Sequence, residues 1–156
     1  MTEYEGRGDG SGRSVAIVAS RFNDVVTERL LDGARGVLLE RGVGEAALTV
    51  VHVPGAWELP GAAAHLAASG RYDAIVAIGC VIRGETPHFD YVAGEAARGL
   101  NRVALDHGVP VGFGLLTTDT AEQALARAGG DVGNKGAEAA EAALEMADLF
   151  RQLESR

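Results

Sequence analysis

The segment Asp73-Ala74-Ile75-Val76-Ala77-Ile78-Gly79-Cys80 is an apolar run with no polar side chain between Ala74 and Gly79. A strand without polar alternation is usually covered on both faces, which is typical of strands inside parallel sheets. The chain then meets Gly84 and Pro87, and a helical spacing of apolar residues begins near Asp90. We therefore predict a buried strand that leads through a turn into a long helix.

The same order of apolar strand and amphipathic helix recurs on both sides of this segment. Further strands are predicted at residues 15–18, 48–53 and 109–116, and a capping box at 119–122 predicts a short helix. Glycines that typically terminate helices stand at positions 42, 70 and 108, and a last helix follows the loop 129–136. Repeated alternation of this kind implies right-handed crossovers. We predict an α/β three-layer sandwich whose four-stranded parallel sheet is flavodoxin-like.

Residues 1–12 differ from the rest of the chain because they carry four glycines and no aliphatic side chain. Such a segment buries too little apolar surface to offset the entropy lost on ordering. We predict a flexible N-terminal arm at 1–12 and a single domain at 13–156. A chain of 156 residues with 47% hydrophobic residues is sufficient for one substantial core.

The charge and the cysteine content argue against several classes of protein. The net charge is -8, and 14 basic residues are spread among 22 acidic ones, which disfavours nucleic-acid binding. Cys80 is the single cysteine, so an internal disulfide and a cysteine-based zinc site are excluded. The chain has no 18-residue apolar run and no basic-then-apolar signal sequence. We expect a cytoplasmic protein with no metal, nucleic acid or membrane partner.

The turn after the central strand combines two features of a phosphate-releasing site. A strand that breaks at Gly84 and enters a helix past Pro87 presents free backbone N–H groups at the positive end of the helix dipole. His88 follows, and imidazole is the side chain whose ordinary pKa lies nearest physiological pH. An anion site and a proton carrier would then be adjacent. The simpler interpretation is that the glycine and proline only shape a turn and that His88 lies on the surface.

Aromatic residues make up only 5% of the chain, yet Phe22, Trp57 and Phe113 are all predicted near carboxyl ends of strands. Ligands bind at this edge of open parallel sheets. Stacking on a flat heterocycle would explain the three rings, while packing in a core or an interface is the alternative for each. Arg127 near a helix end is explained equally well by capping. Lys135 precedes a helix start, where its charge opposes the dipole, so a partner is expected and an anionic or carbonyl-bearing ligand is a candidate.

Five separated motifs resemble the 6,7-dimethyl-8-ribityllumazine synthase family over about residues 14–153. They are Arg21-Phe22-Asn23, Gly55-Ala56-Trp57-Glu58-Leu59-Pro60, the run from Gly79 to Tyr91, Gly112-Phe113-Gly114-Leu115-Leu116-Thr117, and Gly133-Asn134-Lys135-Gly136. The resemblance implies condensation of 5-amino-6-(D-ribitylamino)uracil with 3,4-dihydroxy-2-butanone 4-phosphate to give 6,7-dimethyl-8-ribityllumazine, inorganic phosphate and water, without a cofactor. Trp57 and Cys80 depart from the pattern, since Phe and Thr are more usual there.

The resemblance also implies a role for each matching residue. The ribitylaminouracil site would comprise Phe22, Ala56, Trp57, Glu58, Cys80, Val81, Ile82, Phe113 and Lys135. The butanone phosphate site would comprise Glu85, Thr86 and Arg127, and His88 would move the proton. The family further implies a pentamer whose sites lie between subunits, with the short loop 129–136 favouring an icosahedral shell of pentamers. Riboflavin synthase is a candidate partner.

Two other functions remain open on the sequence. A non-catalytic cage that binds flavin or lumazine would share the fold, but it would be expected to lose His88 or Arg127, and both are present. A flavodoxin-like electron carrier is a weaker alternative, because no Ser/Thr-rich phosphate loop follows the first strand.

Overall fold

A computed structural model describes residues 1–155 of the chain and contains one main parallel sheet. Its strands are β1 (Val15–Ser20), β2 (Leu48–Val53), β3 (Ala74–Ile82) and β4 (Val111–Thr118). Their spatial order is β2-β1-β3-β4, and every neighbouring pair is parallel. The predicted four-stranded parallel sheet is confirmed.

Helices cover both faces of this sheet. They are α1 (Asp24–Glu40), α2 (Leu59–Ala68), α3 (His88–His107), α4 (Ala121–Ala126) and α5 (Lys135–Glu154), with short 3₁₀ turns at Glu45–Ala47 and Ala56–Glu58. Val76 and Ile78 of β3 pack on the face covered by α1 and α5, whereas Ile75 and Ala77 pack on the face covered by α2 and α3. Because successive side chains of a strand point to opposite faces, one apolar strand serves both cores. The predicted three-layer flavodoxin-like sandwich is confirmed.

The predicted glycine stops and the predicted capping box can be compared directly with the helix ends. Gly42, Gly70 and Gly108 all adopt left-handed backbone conformations, with φ of 100°, 71° and 65°, as expected beyond a helix end. The box at α4 lies one residue later than predicted, because Thr120 caps the helix and pairs with Gln123. Helix α3 begins at His88, two residues earlier than the apolar spacing indicated.

The loop 129–136 is more regular than the sequence indicated. Two short antiparallel strands, β5 (Ala128–Gly130) and β6 (Gly133–Asn134), form a tight turn there. The Asn134 side chain accepts a hydrogen bond from the N–H of Ala137 at 3.0 Å and donates one to the carbonyl oxygen of Arg29 at 3.1 Å. This residue therefore caps α5 and fastens its start to α1.

Residues 1–14 form no helix or strand, but they lie against the domain. The N–H of Arg7 donates to the Asp148 carboxylate at 2.8 Å, and the N–H of Gly10 donates to the carbonyl oxygen of Arg41 at 2.8 Å. In a single chain, the segment thus runs along the helical face formed by α1 and α5. A flexible arm at 1–12 stays a prediction.

Candidate active site

A pocket of about 590 Å³ opens at the carboxyl edge of the sheet, beside the ends of β1, β2 and β3. This volume is within the usual range for small-molecule sites. The pocket brings together eight of the predicted site residues, which are Phe22, Ala56, Trp57, Cys80, Val81, Ile82, Thr86 and His88. Its lining also includes Gly55, Gly84, Phe89, Tyr91 and Val92, to which the sequence had assigned no ligand contact.

Cys80 contributes a neutral group to the base of this pocket. Its side chain is buried, and burial raises the pKa of the thiol to about 11 because the thiolate is poorly solvated there. The protonated form therefore dominates at neutral pH, which is unfavourable for a nucleophile. Val81 and Ile82 continue β3 beyond the predicted strand end, with Thr117 and Thr118 of β4 as their neighbours. All three candidates border the pocket as strand residues.

Phe22 is held above the pocket by backbone contacts between the ends of β1 and β2. Its N–H donates to the carbonyl oxygen of Pro54 at 3.0 Å. Asn23 then takes a left-handed conformation, with φ of 63°, and its amide group donates to the carbonyl oxygen of Cys80 at 2.8 Å. Phe22 as a residue is 71% exposed, which leaves its ring available to stack on a flat ligand. Asn23 is a positioning residue that the sequence analysis missed, although Asn is the residue that best tolerates this backbone region after Gly.

The 3₁₀ turn Ala56–Glu58 supplies the second aromatic surface of the pocket. Trp57 lines the pocket, and the residue is 60% exposed. The Glu58 carboxylate does not line the pocket and instead accepts a hydrogen bond from the N–H of Gly55 at 2.9 Å. Glu58 therefore shapes the turn that presents Ala56 and Trp57.

His88 is the first residue of α3 and lies at the pocket with Thr86. Its N–H makes a long contact of 3.4 Å with the Thr86 hydroxyl oxygen. The backbone N–H groups of the first turn of a helix attract anions, so this edge combines an imidazole with an anion-binding position. Glu85 does not line the pocket. The neighbouring Arg83 is paired with Asp119 and Asp90.

Phe113 lies elsewhere in the same chain. It is the third residue of the eight-residue strand β4, and it is 50% exposed. Five residues follow Phe113 in β4, so it lies about 16 Å from the carboxyl end of the strand at the usual rise per residue. The prediction that Phe113 lies near the carboxyl edge is wrong. The strand begins and ends two residues later than the sequence indicated.

Arg127 and Lys135 form a second group outside the lining of this pocket. The N–H of Lys135 donates to the carbonyl oxygen of Arg127 at 2.9 Å, so their backbones are adjacent. The Arg127 guanidinium donates to the carbonyl oxygen of Gln123 at 3.0 Å, in the capping role that was the alternative. The Lys135 ammonium lies 3.2 Å from the Glu138 carboxylate. Glu138 is therefore the anionic partner of Lys135 within the chain, and a ligand contact of Lys135 stays a prediction.

Other kinds of site find no support in the part of the chain that is described. Among residues 1–155, no cluster of three or more His, Cys, Asp or Glu side chains is arranged to hold a metal ion. Within the same range, no helix has both the length and the apolar character needed to cross a membrane.

The sheet is parallel, helices cover both of its faces, and an aromatic pocket opens at its carboxyl edge beside the start of α3. These features define the class of α/β proteins that bind small molecules at this edge of the sheet. Sequence comparison identifies the member of that class. The 6,7-dimethyl-8-ribityllumazine synthase family matches residues 12–151. The chain belongs to this family, which confirms the resemblance of its five motifs.

Similar proteins span almost the whole chain. A 6,7-dimethyl-8-ribityllumazine synthase from Gemmatimonas aurantiaca is 59% identical over 150 residues, which cover 96% of this chain and 92% of that protein. The protein of the same name from Nitratidesulfovibrio vulgaris strain Miyazaki F is 55% identical over 149 residues, covering 96% of both chains.

Proposed function

We propose that this protein catalyses the condensation of 5-amino-6-(D-ribitylamino)uracil with 3,4-dihydroxy-2-butanone 4-phosphate. The products are 6,7-dimethyl-8-ribityllumazine, inorganic phosphate and water, so the enzyme is a transferase of riboflavin biosynthesis. Membership of the family supports the reaction. The structural observation that carries it is one pocket lined both by the exposed aromatic residues Phe22 and Trp57 and by His88 at the start of α3.

The aromatic side of the pocket suits the pyrimidine. Phe22 and Trp57 offer exposed ring faces, and stacking on such faces requires a flat partner. Main-chain groups of Val81 and Ile82 lie at the end of β3, where they can border the edge of the ring. The neutral Cys80 thiol adds a weak polar group and no charge. A neutral, flat, hydrogen-bonding heterocycle is therefore the preferred ligand on this side.

The other side suits a phosphorylated ketone. Free N–H groups around Glu85 and Thr86 and the N-terminal end of α3 favour a phosphate group. His88 is next to this position and can transfer protons as the carbinolamine dehydrates and phosphate leaves. A positioned acid or base typically contributes about 10²- to 10⁴-fold to such steps. Holding both substrates in one pocket supplies a further contribution through proximity.

The assay that tests this function also separates it from the non-catalytic cage. The purified protein is mixed with both substrates, and lumazine fluorescence and inorganic phosphate are followed together. An enzyme forms the two products in equal amounts, whereas a cage protein binds lumazine without releasing phosphate. Omission of either substrate is the control. Binding without turnover would refute the catalytic proposal.

Arg127→Ala tests the phosphate role of Arg127. Removal of the guanidinium should raise the KM for the phosphorylated ketone about tenfold or more, since a charge-assisted contact to phosphate contributes about 1.5–3 kcal/mol. The KM for the pyrimidine should change much less. Steady-state kinetics with each substrate varied in turn provides the measurement. Equal changes in both constants would remove Arg127 from the phosphate site.

The site is proposed to be completed by a neighbouring subunit. Phe113, Arg127 and Lys135 match family site residues but do not line this chain's pocket, while Phe22, Trp57 and Tyr91 leave its rim exposed. An adjacent copy that brings the first group against the second would resolve both observations. We therefore propose a pentamer, and the short loop 129–136 favours an icosahedral shell of pentamers. A cytoplasmic location and an association with riboflavin synthase complete the proposal.

Analytical ultracentrifugation tests the assembly. The expected result is a particle far larger than five 16.1 kDa chains. The particle should be stable on dilution, because the site is incomplete in one chain. A species of five chains alone would contradict the shell but retain the shared site. A fully active monomer would contradict both.

A further inference from the structure

Arg83 connects three parts of the chain around the pocket. Its Nε donates to the Asp119 carboxylate at 2.9 Å, and its Nη1 donates to the Asp90 carboxylate at 3.4 Å. Its guanidinium carbon lies 4.4 Å from the centre of the Phe89 ring, within range of a cation–π contact. One side chain thus joins the loop after β3, the first turn of α3 and the loop after β4.

The first turn of α3 has little local support of its own. Pro87 occupies the cap position and offers no side-chain acceptor, unlike Thr120 at α4 and Asn134 at α5. The first amide, that of His88, makes only the long contact of 3.4 Å to the Thr86 hydroxyl. Helix starts without such a cap are less stable than capped ones. Contacts from outside the helix therefore determine where this turn lies, and Arg83 makes two of them, to Phe89 and Asp90.

Asp119 gives Arg83 a fixed point of attachment. The N–H of Asp119 donates to the Gln123 side-chain oxygen at 2.8 Å, and that oxygen also accepts the N–H of Thr120 at 3.2 Å. The N–H of Arg83 donates in turn to the carbonyl oxygen of Thr118 at 2.8 Å. Arg83 is thus held to the end of β4 by both its backbone and its side chain.

We propose that Arg83 is a positioning residue of the active site. Through Asp119 and Asp90 it holds the first turn of α3, and with it His88 and the phosphate-facing amides, in the geometry that the phosphorylated ketone requires. This inference rests on the proposed function, since it assigns a geometric role within the same pocket. Arg83 does not line that pocket, so the role differs from direct contact with substrate.

The contacts of Arg83 set the position of the first turn of α3 and add little to the stability of the fold. The side chains of Arg83, Asp119 and Asp90 are 46%, 68% and 60% exposed, and exposed ion pairs contribute little to the free energy of unfolding. Catalysis is far more sensitive, because a displacement of about 1 Å of a reacting group can lower the rate about 100-fold. A change at Arg83 should therefore reduce activity with little change in thermal stability.

The test compares Arg83→Gln, Arg83→Lys and Asp119→Asn with a matched control. Arg98→Gln removes an ion pair of 2.8 Å to Glu95 on the same helix, away from the pocket lining. For Arg83→Gln we expect kcat/KM for the phosphorylated ketone to fall about 30- to 100-fold. The KM for ribitylaminouracil and the melting temperature should stay close to wild type. Arg83→Lys should recover part of the loss, and Asp119→Asn should show a smaller loss of the same kind.

Each outcome decides the proposal. Wild-type kinetics in Arg83→Gln, or an equal loss toward both substrates, would overturn it. Full wild-type activity in Arg83→Lys would also overturn it, because a single ammonium cannot reach Asp119 and Asp90 together as the guanidinium does. If Arg83→Gln does not fold, Asp119→Asn provides the test instead. Wild-type kinetics in Asp119→Asn would then refute the positioning role of Arg83. Inactivity of the wild-type protein would instead refute the proposed function.

Discussion

Replacement of His88 by alanine is expected to slow turnover by about 10²- to 10⁴-fold without abolishing it. His88 is the first residue of α3, at the pocket edge, where an imidazole can move protons during dehydration and phosphate loss. The residual rate should come from the remaining pocket, because holding two reactants together can itself supply up to about 7–11 kcal/mol. Single-turnover formation of lumazine measures the chemical step directly.

His65→Ala is the matched control for His88→Ala. His65 lies on the exposed side of α2, and its Nδ1 is 3.0 Å from the carbonyl oxygen of Gly61, outside the pocket lining. This variant should retain wild-type turnover. Complete inactivity of a folded His88→Ala protein that still binds both substrates would show that proximity contributes much less than about 7–11 kcal/mol. An unchanged rate would remove His88 from proton transfer.

The sheet could be predicted from the sequence because its strands lie between helices. Ile75, Val76, Ala77 and Ile78 show no polar alternation, and that pattern by itself indicates burial on both faces. The glycines that follow helices were informative for a similar reason, since a left-handed residue beyond a helix end is a local requirement. Local patterns therefore gave the order of elements and the edge at which the pocket lies.

The strand ends could not be predicted in the same way. Polar Thr117 and Thr118 ended the predicted fourth strand too early, yet they pair with Val81 and Ile82 at the carboxyl edge. Backbone hydrogen bonding continues a strand regardless of side-chain polarity, so the pairing depends on a neighbour that is distant in the sequence. The misplacement of Phe113 follows from this error.

The contact between Arg83 and Asp119 is beyond local patterns as well. Thirty-six residues separate the two side chains, which meet because β3 and β4 are adjacent in the sheet. The Lys135–Glu138 pair is different, since its spacing of three residues on one helix is visible in the sequence. Contacts between residues that are distant in the sequence, such as Arg83–Asp119 and Asn134–Arg29, required the structure.

Substitution of Gly136 by alanine is expected to destabilise the fold by about 1–3 kcal/mol, the usual cost of overpacking. Gly136 is in the first turn of α5, and a methyl group on its Cα would overlap the carbonyl oxygen of Leu30 in α1. The two helices could separate only by straining the Asn134 contact to Arg29. Thermal unfolding should show a loss of about 2–4 °C for each kcal/mol.

Gly36→Ala separates close packing from a general intolerance of larger residues. Gly36 lies within α1, and a Cβ there would meet no atom within 4 Å. Alanine at this position should stabilise the helix by about 0.5–1 kcal/mol, because glycine is the poorer helix former. Gly136 follows Lys135 directly, and Lys135 belongs to the expected ribitylaminouracil site. Displacement of α5 in Gly136→Ala should therefore also raise the KM for ribitylaminouracil. A normal melting temperature in Gly136→Ala would mean that α1 and α5 can move apart without cost, and the tight helix contact would then have no role in placing Lys135.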